Sequence, residues 1–460
     1  MTQTRQLFGT DGIRGVAGEF PLTRDNVYWM GRALGHDLAR VNSQARVVIG
    51  QDTRVSSRWI ADRFLLGLAS VGVETRSAGV ITTPGVAFLA RSQGFDAGVV
   101  ISASHNPWTD NGIKIFSGDG YKLPDAHELA IEKEIFALLR DSDAVPPDAA
   151  PEISSLPGEE GLRQSYVHWL ASSVSTDLTR LRVVVDCANG AAAEEAPELF
   201  GLLKVNTTYL HSAPDGQNIN ENCGALHPEM LARFVSESAG RQEAFDIGVT
   251  FDGDADRALF CDAEGRVVNG DAVLLVAARE MQSRGALAKA TVVATTMSNM
   301  GLELALKRSG IQMLRANVGD KYVLEEMQRV GATLGGEQSG HILFRDGEAT
   351  TGDGLLTALR VMEIMVRTGK PLADLVSDLK VFPQTIRNVR VRTKTPFAQI
   401  PAVQAAIAAA DRELDGNGRV VVRYSGTEAL ARVMIEAESK EQMDRLAEAI
   451  VGAIQSALGA

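Results

Sequence analysis

The sequence predicts an α/β protein of several domains, and three observations carry that expectation. Short β-branched runs recur along the chain and end in polar or glycine-rich turns. Segments with helical periodicity separate them, the alternation that builds parallel-rich sheets with helical crossovers. Beyond Phe382 the pattern changes to two strand-like runs and one long amphipathic segment, which suits a smaller α+β domain.

The elements follow in chain order. Arg46–Gly50, Gly98–Ile101, Arg182–Asp186, Ile247–Thr250 and Thr291–Ala294 read as buried strands. Ala126–Arg140 and Met300–Arg308 read as helices between strands. Arg419–Arg423 and Ala431–Glu436 form a strand pair across a polar loop, and Lys440–Leu458 closes the chain as an amphipathic helix. The stretch 141–160, with Pro146, Pro147, Pro151 and Pro157, reads as a linker. Four domains result, at 1–158, 159–256, 257–372 and 373–460. A chain of 460 residues exceeds what one core supports, which agrees with that division.

Composition narrows the function. The chain is 45% hydrophobic and 23% charged, as in ordinary globular proteins. Its net charge of −12 argues against a nucleic-acid coat or a binder of anionic membranes. Cys187, Cys223 and Cys261 are too few and too scattered for a disulfide framework or a zinc cluster. With no apolar leader at the N-terminus and no long apolar run, the cytoplasm is the expected compartment.

The loops carry the chemical signals. Val99-Val100-Ile101-Ser102-Ala103-Ser104-His105-Asn106-Pro107 is an apolar strand that stops in small polar residues, and Asn106-Pro107 forces a turn. A hydroxyl is thereby presented at a strand end, where open α/β sheets place ligands. Ser104 lies in no Gly-x-Ser-x-Gly elbow, and adjacent side chains on extended backbone point apart, so Ser104 and His105 do not read as a nucleophile–base pair. Asp252-Gly253-Asp254-Ala255-Asp256-Arg257 alternates three carboxylates with small residues. Their mutual repulsion is relieved most simply by a cation. An EF-hand is excluded, because Arg257 and Ala263 stand where that loop needs glycine and glutamate. Open coordination positions suit Mg²⁺ beside a phosphate.

Three further loops complete the set. In Gly335–His341, Glu337 and Ser339 can face a polyhydroxyl ligand, and His341 can donate to a phosphate or carry a proton. In Arg423–Glu428, a guanidinium beside Ser425, Gly426 and Thr427 makes an anion nest, although the same residues also fit a plain hairpin turn. Near the start, Gly9–Gly15 combines three glycines with Arg14, a fixed cation. Lys114 can neutralise charge or move a proton near Ser104, and Arg54 is expected to pair with Asp52. Neither a Gly-x-x-x-x-Gly-Lys loop nor a Gly-x-Gly-x-x-Gly turn after a strand is present, so ATP and NAD folds of those kinds have no support.

Taken in order, these loops resemble those of the α-D-phosphohexomutases over essentially the whole chain. Ser102–Pro107 is similar to the family's phosphoserine loop, which implies that Ser104 is the phosphorylated residue and that His105 and Asn106 shape its loop. Asp252, Asp254 and Asp256 match the Mg²⁺ loop, with Ser104 as a further ligand and Arg257 as companion. Glu337, Ser339 and His341 match the sugar-binding loop; Arg423, Ser425, Gly426 and Thr427 match the phosphate-binding loop. Gly9–Gly15 and Gln338 are most similar to the bacterial phosphoglucosamine mutase branch, whereas relatives acting on glucose or mannose phosphates commonly carry methionine in place of Gln338. One departure stands out: Ala429 replaces the proline usual after the Thr-Glu pair, which bears on the stiffness of that loop and not on its ligands.

The resemblance implies three related α/β domains with mixed sheets and a C-terminal α+β domain. It implies transfer of a phosphoryl group from Ser104 to a hexosamine phosphate through a sugar bisphosphate such as glucosamine 1,6-bisphosphate. One Mg²⁺ per site is implied, and Lys114, Arg14 and His341 are the candidates for proton transfer and charge neutralisation. The partner is a small phosphosugar, with no nucleic acid and no membrane; a homodimer stays open. Phosphoglucomutase or phosphomannomutase activity on the same scaffold is the near alternative, and a non-catalytic sugar-phosphate sensor the distant one.

Overall fold

The computed structural model describes residues 6–9, 11–140, 146, 158–240, 244–425 and 429–459. Most of the expected linker, and Gly426 and Thr427 of the expected anion nest, lie outside the described residues. The chain divides into two compact units, one of residues 1–297 with 313–376, the other of residues 298–312 with 377–460.

The first unit contains three sheets built on one plan. The first comprises β1 (Ile13–Val16), β2 (Arg46–Gln51), β3 (Glu74–Val80), β4 (Ala97–Ile101) and β5 (Asp110–Ser117), in the spatial order β1-β5-β4-β2-β3. The second comprises β6 (Arg182–Asp186), β7 (Asn206–Leu210), β8 (Ile247–Phe251), β9 (Ala258–Asp262) and β10 (Val267–Val268), in the order β10-β9-β8-β6-β7. The third comprises β11 (Thr291–Thr295), β12 (Gln312–Ala316), β13 (Leu334–Gly336) and β14 (Ile342–Phe344), in the order β12-β11-β13-β14. In each sheet one strand is flanked by two later ones, and the third strand of the plan turns back through an antiparallel hairpin, as β4–β5, β8–β9 and β13–β14.

The strand sequences explain this arrangement. β4, β8 and β11 are buried along their whole length, as strands covered on both faces must be. In the first sheet Val47, Ile49, Val99 and Ile101 join one apolar cluster with Ile60 and Phe64, while Val48 and Val100 join another with Val86 and Leu89. The alternation follows from the two-residue period of a strand. It places Lys114, midway along β5, on the opposite face from Ile113 and Ile115.

Two expected boundaries are corrected. The break at 256/257 falls inside the β8–β9 hairpin, and the second sheet continues to Val268, because β9 returns antiparallel along β8. The expected third domain, 257–372, loses residues 298–312 to the second unit. There the helix Met300–Arg308 is fastened by Asn299, whose Nδ2 donates to Phe382 O (3.0 Å) and whose Oδ1 accepts from Phe382 N (2.9 Å).

The second unit also holds a three-stranded antiparallel sheet, β15 (Gln384–Arg390), β16 (Gly418–Tyr424) and β17 (Leu430–Ala437), in the order β15-β17-β16. The helices Pro401–Leu414 and Lys440–Leu458 pack their apolar stripes against Val389, Val433 and Ile435. No described helix is long and apolar enough to cross a membrane.

Candidate active site

The repeated plan puts the chemistry in equivalent places. Ser102–Thr109 joins β4 to β5, Asp252–Arg257 joins β8 to β9, and Glu337–His341 joins β13 to β14. All three loops leave the C-terminal end of a parallel strand beside the point where strand order reverses, the position at which open α/β sheets bind ligands.

Ser104 is buried, and its Oγ donates to Asp252 Oδ2 at 2.6 Å. The first two loops, far apart in sequence, therefore meet at the serine hydroxyl. Ser104 has φ +54, so its backbone is left-handed and not extended. For that reason the expectation that the His105 side chain points away fails: Nδ1 lies 3.4 Å from Ser104 Oγ. Burial, reinforced by Arg257 and Arg14, lowers the His105 pKa to about 4 and keeps the ring neutral at physiological pH. Asn106 Nδ2 bonds Asp110 Oδ2 at 2.9 Å within the loop.

The acidic loop concentrates charge in a buried region. Asp252, Asp254 and Asp256 each offer an oxygen within 4.8 Å of the other two, and all three residues are buried. Burial and the two neighbouring carboxylates push Asp252 up to about 8. Asp256 behaves oppositely, since Lys114, His341 and Arg257 outweigh its burial and hold it well below the usual carboxylate range. Lys114 Nζ bonds Asp254 Oδ2 (2.8 Å), Asp256 Oδ2 (3.3 Å) and Asp11 Oδ2 (3.0 Å). Burial alone would lower the pKa of this lysine, but the three carboxylates raise it well above normal.

These contacts belong to a closed ring of alternating charge. Asp11 also binds Arg14 and Lys122 (2.6 Å), Lys122 binds Asp320 (2.6 Å), and Asp320 stands 3.6 Å from His341 Nε2. His341 Nδ1 then lies 3.6 Å from Asp256, where the ring began. Burial opposes protonation of His341, yet Asp256, Asp320 and Glu337 together raise its pKa to about 9. The ring borders a cavity of about 440 Å³ that Arg14, His105, Arg257, Glu337 and His341 also line.

Within the third loop Glu337 is held in place by Gly319 N–H (2.9 Å) and Ser339 Oγ (3.2 Å). Gln338 differs: its Nε2 donates to Asp271 Oδ2 at 3.2 Å, and it does not line the cavity. In the second unit Arg423 is exposed near the end of β16, and Ser425 is buried, its N–H donating to Leu430 O at 2.8 Å.

Family comparisons agree with this geometry over nearly the whole chain. Models of phosphoglucomutase/phosphomannomutase match in all four parts: alpha/beta/alpha domain I at residues 5–140, domain II at 164–265, domain III at 269–382 and the C-terminal domain at 387–453. The chain belongs to the phosphoglucomutase/phosphomannomutase family. A relative named phosphoglucosamine mutase, from Koribacter versatilis (strain Ellin345), is 61% identical over 456 residues, covering 99% of this chain and 98% of that protein. Among solved structures, a phosphoglucomutase/phosphomannomutase family protein from Burkholderia thailandensis superposes with TM-score 0.77 at 25% identity, covering 98% of this chain and 97% of that one. An Aspergillus fumigatus N-acetylphosphoglucosamine mutase, solved in complex with GlcNAc-6P and magnesium, shares the fold with TM-score 0.63 at 19% identity, covering 98% and 96%.

The acidic loop of this family member fits a divalent cation. Among the described residues Asp254 Oδ1 and Asp256 Oδ1 are buried without a hydrogen-bond partner, and hard oxygen donors crowded in this way are the set Mg²⁺ takes. The same geometry shows which residues sequence reasoning missed. Asp11, Lys122 and Asp320 complete the charge ring; Asp11 lies inside the Gly9–Gly15 stretch, where only the glycines and Arg14 drew notice, and Lys122 and Asp320 stand in no motif. Thr83 donates to Asp254 Oδ2 at 2.5 Å. Arg54 pairs with Asp52 as expected but also donates through Nη2 to Ser104 O (3.1 Å) and Asn106 O (2.6 Å).

Proposed function

We propose that the chain is a phosphoglucosamine mutase, interconverting glucosamine 6-phosphate and glucosamine 1-phosphate through a phosphorylated Ser104. The observation that carries the reaction class is the Ser104 hydroxyl at 2.6 Å from a buried triad of carboxylates. The name of the Koribacter versatilis relative, 61% identical over 456 residues, supports the substrate. Mg²⁺ held by Ser104, Asp252, Asp254 and Asp256 would supply positive charge against the transferring phosphoryl group.

The transfer runs in two steps. The O1 oxygen of glucosamine 6-phosphate attacks phosphorus on Ser104, the P–Oγ bond breaks, and the O1 proton passes to a base. Ser104 Oγ leaves with a proton as the free hydroxyl and gives that proton up again in the second step. The resulting 1,6-bisphosphate reorients, Ser104 Oγ attacks the 6-phosphoryl group, and the P–O6 bond breaks as O6 takes up a proton. Charge sets the roles of the candidates. Lys114, kept protonated by three carboxylates, neutralises phosphoryl charge. His341, beside Asp256 and Asp320, is the candidate proton carrier, and Arg14 on the cavity wall is the candidate phosphate ligand. Glu337 and Ser339 would accept from and donate to sugar hydroxyls, with Arg257 offsetting the acidic loop. His105 and Asn106 shape the serine loop. Arg423 and Ser425, with Gly426 and Thr427, are proposed as phosphate ligands. The cytoplasm is proposed as the compartment, since Cys187, Cys223 and Cys261 are unpaired and buried.

Two measurements test this. Turnover of glucosamine 6-phosphate should exceed that of glucose and mannose 6-phosphates, and a clear preference for either of the latter would sink the substrate assignment. Intact-mass and peptide mapping of active protein should find phosphate on Ser104; its consistent absence would remove the mechanism.

A further inference from the structure

The left-handed backbone of Ser104 needs an explanation that the reaction alone does not give. A non-glycine residue at φ +54 costs about 1–2 kcal/mol and persists where its surroundings over-determine it. Three contacts do so. Ser104 N–H donates to Ser102 Oγ at 3.0 Å. Its carbonyl accepts from Arg54 Nη2 (3.1 Å) and from Asn220 Nδ2 (2.9 Å). The same two donors reach Asn106 O, at 2.6 Å and 3.2 Å. Two carbonyls of the serine loop are thus each held by two donors.

The donors come from different domains. Arg54 follows β2 in the first sheet and is fully buried against Asp52. Asn220 belongs to the second domain, in the loop between β7 and β8, and is itself left-handed at φ +58. Its backbone is anchored to that domain by Asn220 N donating to Ala188 O at 2.9 Å. The approach is close enough to require glycine at 253, where a Cβ would come within 2.6 Å of Ser104 O and 2.9 Å of Asn220 Nδ2. Thr53 Oγ1 donating to Asn189 O (2.6 Å) and Val55 N donating to Gly216 O (2.9 Å) stitch the same seam.

We propose that Asn220 is a positioning residue for Ser104: its side-chain amide, reaching across from the second domain, holds the serine loop in the strained conformation that aims Oγ at the acidic triad. The inference rests on the reading of Ser104 as the phosphoryl carrier. It concerns geometry, not substrate binding, so its signature lies in kcat. A misplacement of about 1 Å in a reacting group costs on the order of 10²-fold in rate.

The test uses three variants of the full chain. Asn220→Gly keeps the left-handed backbone and removes the amide. Asn220→Asp keeps the shape and turns an oxygen toward the two carbonyls, and it serves if the glycine variant does not fold. Asn218→Ala alters the same loop through a side chain that, among the described residues, bonds Ala213 O (3.1 Å) and Asp215 N (3.1 Å) and not the serine loop. Both Asn220 variants should lose about 10- to 100-fold in kcat with KM for the sugar phosphate within about twofold, while Asn218→Ala retains kcat. Full kcat in a folded Asn220 variant, a loss confined to KM, or an equal loss in Asn218→Ala would overturn the proposal. Phosphate mapping of the unsubstituted protein separates the two levels: if Ser104 never carries phosphate, the carrier reading falls and this proposal with it. If it does and Asn220→Gly turns over normally, only the positioning role falls.

Discussion

The serine loop and the acidic loop occupy the same place in successive copies of one plan, yet they are stabilised in opposite ways. Ser102–Asn106 is held through its backbone, with neutral and cationic donors fixed on two carbonyls. Asp252–Asp256 is held through side-chain charge, with Lys114 spanning Asp254, Asp256 and Asp11. The first loop stores a conformation and the second stores charge. Burying charge is tolerable only where partners compensate it, because removing one member of a buried pair typically costs about 3–5 kcal/mol. Preorganised charge of this kind is also what phosphoryl transfer exploits.

The largest expected effect strikes the charged loop. Asp254→Ala turns three crowded carboxylates into two, while Lys114 keeps Asp11 and Asp256 as partners. Mg²⁺-dependent turnover should fall on the order of 10²-fold with the fold intact. Unchanged activity at limiting Mg²⁺ would break the contrast between a loop that stores charge and one that stores shape.

Glu195 shows what burial does where it outweighs compensation. It is fully buried, accepts from Thr82 N at 3.2 Å, and has its second oxygen unpartnered among the described residues. Burial raises its pKa from 4.5 to about 8. The folded state therefore holds a proton that the unfolded state has released, and stability declines as pH rises from about 4.5 to about 8, then levels off. Glu195→Gln should match the unsubstituted protein near pH 4.5 and exceed it by a few kcal/mol at pH 8 in denaturant unfolding. A gap that does not change with pH would show that Glu195 is compensated after all.

The smallest effect belongs to the third loop. Gln338 faces Asp271 and not the cavity, so Gln338→Met should cost about 1 kcal/mol in stability and leave the sugar preference unaltered. A shift toward glucose or mannose phosphate would show that this side chain acts on the sugar and would sharpen the role of the third loop.

Much of this was legible in the chain because it is locally encoded. Arg182–Asp186 and Met300–Arg308 have the element bounds expected of them, since an apolar run and its period need no distant partner. The alternating carboxylates of Asp252–Asp256 likewise mark a place of crowded charge by their spacing alone, and the structure buries all three together. The domain edge near 256 was misplaced because an acidic turn between two apolar strands looks the same whether it ends a domain or closes a hairpin.

By itself, then, the sequence determined strands such as Arg182–Asp186, helices such as Met300–Arg308 and the residue types in each loop, for those depend on neighbours a few positions away. Only the tertiary structure decided which charges meet. That Lys114 lies between Asp11 and Asp254, that Lys122 closes a ring with Asp320, and that Asn220 reaches Ser104 O follow from the docking of domains. A lone charged or amide side chain carries no local mark of its partner; the partner is set by where the repeated sheets bring their strands and loops together.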